Sequence, residues 1–417
     1  MSPSILASFP SDDASLREKF SRKNPEDISP VPTKRVKTHH SSNAEPTGTL
    51  PAAAGSISGH HQTAIPAKDL PTDAQRAADS DDDDDELAGN DLMPTGPIAS
   101  PSRSTPELVY DDAIDTGYLP ASTRLRRRIF DHPDRIVVCP GVFDGFSARV
   151  AMSVGFEGLY MTGAGTTASR LGMPDLAIAQ LHDMKEQADM ICNLDPTNGP
   201  PVIADMDAGY GGPVVITRAV HQYARAGVAA FHIEDQILSK RCGHLAGKEV
   251  VPLSDYLLRI RAAKNALRAI NSDMLLIART DALQTLGYDD CIARLRAARD
   301  LGADIGILEG FQTKEQAARA VRDMAPWPLL LNAIENGASP LISVGEAQAM
   351  GFRVMIFSLA ALSAAYVAMR EMFERLKREG VTGVPRDVTP KRLFEVVGLD
   401  GAREVDEAAG GAAFSKV

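Results

Sequence analysis

Residues 231–251, FHIEDQILSKRCGHLAGKEVV, run from an apolar, strand-like stub into a loop carrying Glu234, Asp235, Lys240, Arg241, Cys242, His244 and Lys248. Gly243 and Gly247 loosen the backbone there. A lone cysteine beside two bases and a histidine sits in an electropositive setting that can lower a thiol pKa. Such a thiol can serve as a nucleophile or as a proton donor and acceptor. The nucleophile needs an oriented Cys–His pair, which two-residue spacing on a glycine loop does not guarantee. Acid–base work on a lid that closes over a bound anion and excludes water fits the loop better. An incidental thiol on a solvated, charged loop is the plain alternative.

A second reactive set is acidic. In ADMDAGYGG (204–212), alternation along a strand sends Asp205 and Asp207 to one face. With Glu234 from a neighbouring strand they make an all-oxygen set suited to Mg²⁺ or Mn²⁺, with positions left for waters and a chelating substrate. No His/Cys constellation competes for zinc. Arg279 can clamp a carboxylate bidentately opposite the cation, with Asp281 as its orienting partner. The amides of TGAG (162–165), with the Thr162 hydroxyl, can form a small anion-binding nest. Each acid could instead cap a helix or pair with an arginine. Their convergence on one rim is harder to explain that way, because the mutual repulsion calls for a divalent cation.

That rim requires a frame. From about residue 120 onward, short apolar, β-rich runs alternate with Ala/Leu/Arg-rich helical stretches, the pattern of βα units on a parallel sheet. Strands are expected at 135–140, 158–163, 201–207, 229–235, 274–281, 305–310, 328–337 and 354–358, with STRLRRRIF (122–130) as the first amphipathic helix. Eight strands over about 250 residues predict a (β/α)8 TIM barrel, with a doubly wound open sheet as the other candidate. In a barrel, catalytic groups project from the C-terminal ends of strands, where Glu309, Asn332 and Glu335 also fall. GAGTTAS after the second strand lacks the spaced glycines of a dinucleotide site.

Residues 1–105 are rich in Ser, Pro, Asp and Ala, and the self-repelling run SDDDDDE (80–86) predicts a disordered acidic tail. The catalytic domain is expected over 120–417. PTKRVK (32–37) has the composition of a nuclear-import signal, but so short a cluster is usually incidental. The net charge of -11 argues against a nucleic-acid partner. The opening MSPSILASFPSDD lacks the basic and apolar pattern of a secretory signal, and there is no apolar run of about 18 residues, so no secretory leader and no membrane partner are expected. Four scattered cysteines (Cys139, Cys192, Cys242, Cys291) without a CxxC pair indicate a reducing compartment. The C-terminal FSKV is not a peroxisomal signal, which leaves the cytoplasm as the expected location.

KRCGHLAGK, together with DMDAGYGG, HIEDQ, ARTDAL and NAIENG, resembles the isocitrate lyase/phosphoenolpyruvate mutase superfamily over about residues 125–415. The resemblance implies cleavage or formation of a C–C bond, or rearrangement of a P–C bond, in small acids held on Mg²⁺. It implies that Asp205, Asp207 and Glu234 hold the metal directly or through water, with Asp175 of GMPD as a further acid nearby. Thr162, Gly163, Ala164, Arg279 and Asn332 would bind substrate oxygens. Glu309 would lie close by, Tyr160 would be the active-site tyrosine, and Cys242, flanked by His244, would be the lid acid/base. Thr162-Gly163-Ala164 stands where the family usually has Ser-Gly-Gly.

Within the superfamily, a thiol in this loop separates C–C lyases from phosphonomutases. In MIFSLAAL (355–362), Ser358 matches fungal oxaloacetate hydrolases, whereas methylisocitrate lyases carry proline there. A serine hydroxyl can hydrogen-bond the extra hydroxyl of a hydrated ketone, and proline cannot. The expected reaction is hydrolysis of oxaloacetate to oxalate and acetate. The alternatives are retro-aldol cleavage of 2-methylisocitrate or a dimethylmalate-like acid, and a catalytically silent barrel that acts through partners. The resemblance also implies a homo-oligomer, a dimer or a tetramer, in which the apolar helix at 362–380 swaps between subunits.

Overall fold

The structure, a computed structural model, describes residues 119–415; the expected tail, with its acidic run and basic cluster, lies outside the described residues. All eight expected strands form: β1 Val137–Val142, β2 Leu159–Met161, β3 Val202–Asp205, β4 Ala230–Glu234, β5 Leu275–Thr280, β6 Ile305–Leu308, β7 Leu330–Asn332 and β8 Val354–Phe357. They pair in parallel in the order β6-β5-β4-β3-β2-β1-β8-β7. A parallel bridge between Gly306 and Leu329 joins the two end strands. The sheet is therefore a closed barrel rather than an open one.

Alternation along the strands explains both its core and its rim. Val137 and Cys139, Ile203, Leu275 and Ile277, Ile305 and Ile307, Leu330, and Val354 and Ile356 share one buried cluster inside the barrel. The amphipathic helix Ala121–Phe130 adds Leu125 and Ile129 to that cluster. The intervening residues, such as Met161, Phe231, Leu276 and Met355, pack outward against helical residues including Tyr223, Ile260 and Leu295. One step of two residues beyond Ile203, Ile277, Ile307, Leu330 and Ile356 come Asp205, Arg279, Glu309, Asn332 and Ser358. The same face that fills the barrel with hydrocarbon thus becomes polar at its mouth.

Two strands end sooner than the sequence pattern suggests. β3 stops at Asp205 because Asp207 takes a left-handed backbone with φ 46°. β7 stops at Asn332, and Glu335 is left exposed beyond it. At the C-terminus, the helix Ala360–Glu379 buries none of its residues, and Tyr366, Val367, Met369 and Phe373 are exposed. Among the described residues no helix is long and apolar enough to cross a membrane.

Candidate active site

The barrel mouth holds a cavity lined by Tyr160, Thr162, Asp205, Cys242, Arg279 and Ser358, with Ala164, Asp175, Gly243, His244, Glu309 and Asn332 around them. Its volume is about 20 Å³, room for about one water and too little for a dicarboxylic acid. The 231–251 loop closes it. Gly243 passes so near Arg279 and Glu309 that a Cβ there would collide with both side chains. Cys242 donates its backbone N–H to the Asp175 carbonyl at 3.1 Å, and Gln236 Nε2 donates to the Arg241 carbonyl at 2.9 Å.

Arg279 and Asp281, two residues apart in sequence, pair at the barrel mouth. Arg279 Nε and Nη2 donate to Asp281 at 2.8 and 3.1 Å, while Nε lies 3.3 Å from Glu234 and 3.9 Å from Glu309. Asp281 also accepts from Lys248 Nζ at 2.9 Å, and both of these side chains are fully buried. Burial opposes charge on Asp281, but Arg279 and Lys248 outweigh it and hold the carboxyl below the usual range. Asp235, by contrast, turns into the structure. It accepts from Thr280 Oγ1 at 2.6 Å and the Asp281 amide at 2.8 Å, and lies 3.3 Å from Arg294.

A continuous hydrogen-bonded chain runs along the mouth at the ends of β8, β7 and β6. Ser358 Oγ donates to Asn332 Oδ1 at 2.6 Å, and Asn332 Nδ2 donates to Glu309 Oε1 at 3.0 Å. His244 Nε2 lies 2.9 Å from that same Glu309 oxygen. Because His244 Nδ1 accepts the Ala338 amide at 2.9 Å, the Nε2 nitrogen is the one that carries the proton. Burial works against the Glu309 carboxylate, but Arg279 and His244 hold it below its ordinary pKa.

The acids do not gather as simple strand alternation predicts. Asp205 Oδ2 accepts the Gly163 amide at 3.2 Å, so that amide is engaged by the protein rather than left for substrate. A Cβ on Gly163 would strike the Asp205 carboxylate, which is why glycine stands there. Asp205 Oδ1 accepts the Asp207 amide at 2.9 Å. Asp207, turned by its left-handed backbone, reaches Lys240 Nζ at 2.6 Å, and Asp175 reaches the same ammonium at 2.5 Å. Asp175, expected as an acid beside the metal, is thus the partner of a buried lysine. Thr162 Oγ1 accepts the Gly165 amide at 3.2 Å and caps a short helical turn.

Sequence reasoning passed over His232, which is fully buried two residues before Glu234. Its Nε2 lies 2.8 Å from the Tyr160 hydroxyl and 3.6 Å from Asp205 Oδ1. The i, i+2 relation to Glu234 on a strand was the available signal. Burial, reinforced by Asp205, pushes the Tyr160 phenol well above its usual pKa, so Tyr160 is protonated at neutral pH. Burial also raises the Cys242 thiol, against the lowering expected from its basic neighbours. Arg241 is turned away, with Nη1 donating to the Ala246 carbonyl.

The phosphoenolpyruvate phosphomutase family model matches residues 126–377. The chain belongs to the phosphoenolpyruvate mutase/isocitrate lyase superfamily. A solved structure of oxaloacetate acetylhydrolase with the inhibitor 3,3-difluorooxalacetate is 64% identical; the match covers 71% of this chain and 99% of that one, with a TM-score of 0.70. The 2,3-dimethylmalate lyase of Eubacterium barkeri is 36% identical over 274 residues, which are 65% of this chain and 93% of that protein. Phosphonopyruvate hydrolase, solved with oxalate and Mg²⁺, is 26% identical with a TM-score of 0.60, over 69% of this chain and 99% of that one. This superfamily member is accordingly an enzyme, and one of these relatives was solved with Mg²⁺ bound.

The donor set suits a hard divalent ion. Both Glu234 carboxylate oxygens are buried without a hydrogen-bond donor, and burial drives this carboxyl well above its usual pKa. Burial likewise pushes Asp207 up to about 7 despite Lys240. A cation would relieve both. Among the described residues no three His, Cys, Asp or Glu side chains close a cage by themselves. Magnesium, which keeps several waters, does not require one.

Proposed function

We propose that this enzyme hydrolyses the C2–C3 bond of oxaloacetate, yielding oxalate and acetate. The observation that carries the reading is the meeting of Cys242, Arg279 and Ser358 on one small cavity. The 64% identity to an oxaloacetate acetylhydrolase supports it. Mg²⁺ or Mn²⁺ would be held by Asp205, Asp207 and Glu234, directly or through water, and when bound would act as a Lewis acid on the substrate's 2-oxo group.

The chain's own residues account for the remaining chemistry. Arg279, aimed by Asp281, fixes a substrate carboxylate. Ser358 has its proton committed to Asn332, so its lone pairs can accept a hydrogen bond from the extra hydroxyl of the hydrated ketone. Loss of a proton from that hydrate breaks C2–C3, and the electron pair leaves on the acetate fragment. Cys242, kept as a thiol by burial, donates the proton that converts the departing enolate to acetate. Tyr160, a phenol at neutral pH, suits hydrogen-bond donation, which leaves a carboxylate as the better candidate for the base. With so little free volume, the lid must open to admit substrate and closes to exclude water.

The deciding experiment offers the purified enzyme oxaloacetate, 2-methylisocitrate and 2,3-dimethylmalate separately, with Mg²⁺ or Mn²⁺, and identifies the products. Oxalate and acetate from oxaloacetate are expected. Preferential retro-aldol turnover of either larger acid would replace this reading with a lyase, and no turnover of any would favour a silent barrel. We further propose a cytoplasmic homo-oligomer, with the exposed apolar face of Ala360–Glu379 covered by a neighbouring subunit. Light scattering that returned a monomer mass would overturn that assembly.

A further inference from the structure

Lys240 is a buried cation among the acids assigned above to a metal. Its Nζ lies 2.5 Å from Asp175 and 2.6 Å from Asp207, and its side chain is 3% exposed. Asp205 and Glu234 are further charged neighbours, so all three carboxylates assigned to the cation, together with Asp175, act on it. Lys240 also belongs to the lid, two residues before Cys242. Asp175 grips that lid at both positions, its carboxylate on the Lys240 ammonium and its carbonyl on the Cys242 amide.

Two consequences follow from electrostatics. A lysine drawn into a cluster of carboxylates fastens the segment that carries it, because withdrawal would strand uncompensated buried charge. An ammonium held among those carboxylates also neutralises part of the field that attracts a divalent ion, and it repels that ion directly.

We propose that Lys240 is a positioning residue that couples lid closure to cation affinity. Its ammonium latches the lid so that Cys242 sits over the cavity, and it holds divalent-ion binding weaker than the carboxylates alone would make it. The inference rests on the reading that Asp205, Asp207 and Glu234 hold the cation.

The test uses full-length enzyme with Mn²⁺ titrated by calorimetry, alongside the rate of iodoacetamide labelling at Cys242 followed by peptide mass. K240M is expected to bind Mn²⁺ roughly tenfold or more tightly than wild type, the sense fixed by removing a like charge. Cys242 in K240M is expected to label several-fold faster. Should K240M fail to fold, K240Q carries the same expectations with a polar side chain in the same space. Unchanged or weaker Mn²⁺ affinity in the folded variant, or unchanged labelling, would overturn the proposal. Wild-type enzyme that binds no Mn²⁺ would instead defeat the cation reading, and the latch with it.

Discussion

Replacing Asp281 by Asn tests the anion clamp at almost constant shape. Asp281 is fully buried and receives Arg279 at 2.8 and 3.1 Å and Lys248 at 2.9 Å. D281N removes the charge and leaves Lys248 buried without a countercharge, while Arg279 falls back on Glu234 at 3.3 Å. Breaking one side of a buried pair costs about 3–5 kcal/mol, and the surviving Glu234 contact sets the expectation near the lower end, about 3 kcal/mol. In a barrel of this size that is roughly 5–10 °C in Tm. Without its orienting partner Arg279 no longer holds one geometry, so KM for oxaloacetate should rise about tenfold and more than kcat falls.

The pH dependence has a definite sign. The folded pKa of Asp281 is depressed, so its stabilisation is fully present above the ordinary carboxylate pKa of about 3.9 and is lost as pH falls through the folded value. The stability gap between wild type and D281N should therefore stay constant from pH 8 to 5 and narrow only in stronger acid. Thermal unfolding across that range, with steady-state kinetics at neutral pH, measures all of this. A Tm within about 1 °C of wild type together with an unchanged KM would refute the argument.

Three further expectations are simpler. S358P should lose oxaloacetate hydrolysis by about a hundredfold or more, since it removes a hydroxyl aimed at the reacting centre; coupled detection of oxalate measures this, and intact turnover would defeat the specificity claim. Because burial raises the Cys242 thiol, its iodoacetamide labelling rate should still be climbing at pH 9, whereas a plateau near neutrality would mean a stabilised thiolate. Dialysis against a chelator should abolish turnover, with recovery on adding Mg²⁺ or Mn²⁺; activity that survives chelation would exclude the metal reading.

Periodicity made the barrel legible because parallel strands buried on both faces read as short apolar runs, and the polar interruptions at Asp205, Glu234, Arg279 and Glu309 marked its mouth. What could not be read was whatever depends on a local backbone turn or on burial. Asp207 reaches Lys240 only because its φ is 46°, which no alternation rule foresees. The Cys242 thiol was expected to be lowered by Lys240 and Arg241, yet one of these is committed to carboxylates and the other to a carbonyl, so desolvation prevails. Asp175 lies far from Lys240 in the chain, and only the closed lid brings them together.

The single two-residue step from Ile356 to Ser358, repeated from Ile277 to Arg279 and from Ile307 to Glu309, separates what keeps the protein folded from what it recognises. An exchange at the upper position alters the chemistry offered to a ligand and leaves the hydrocarbon layers beneath intact. New substrate preferences can thus arise in this lineage one tip at a time, at a stability cost set by the buried charges each tip is paired with and not by the hydrocarbon beneath it.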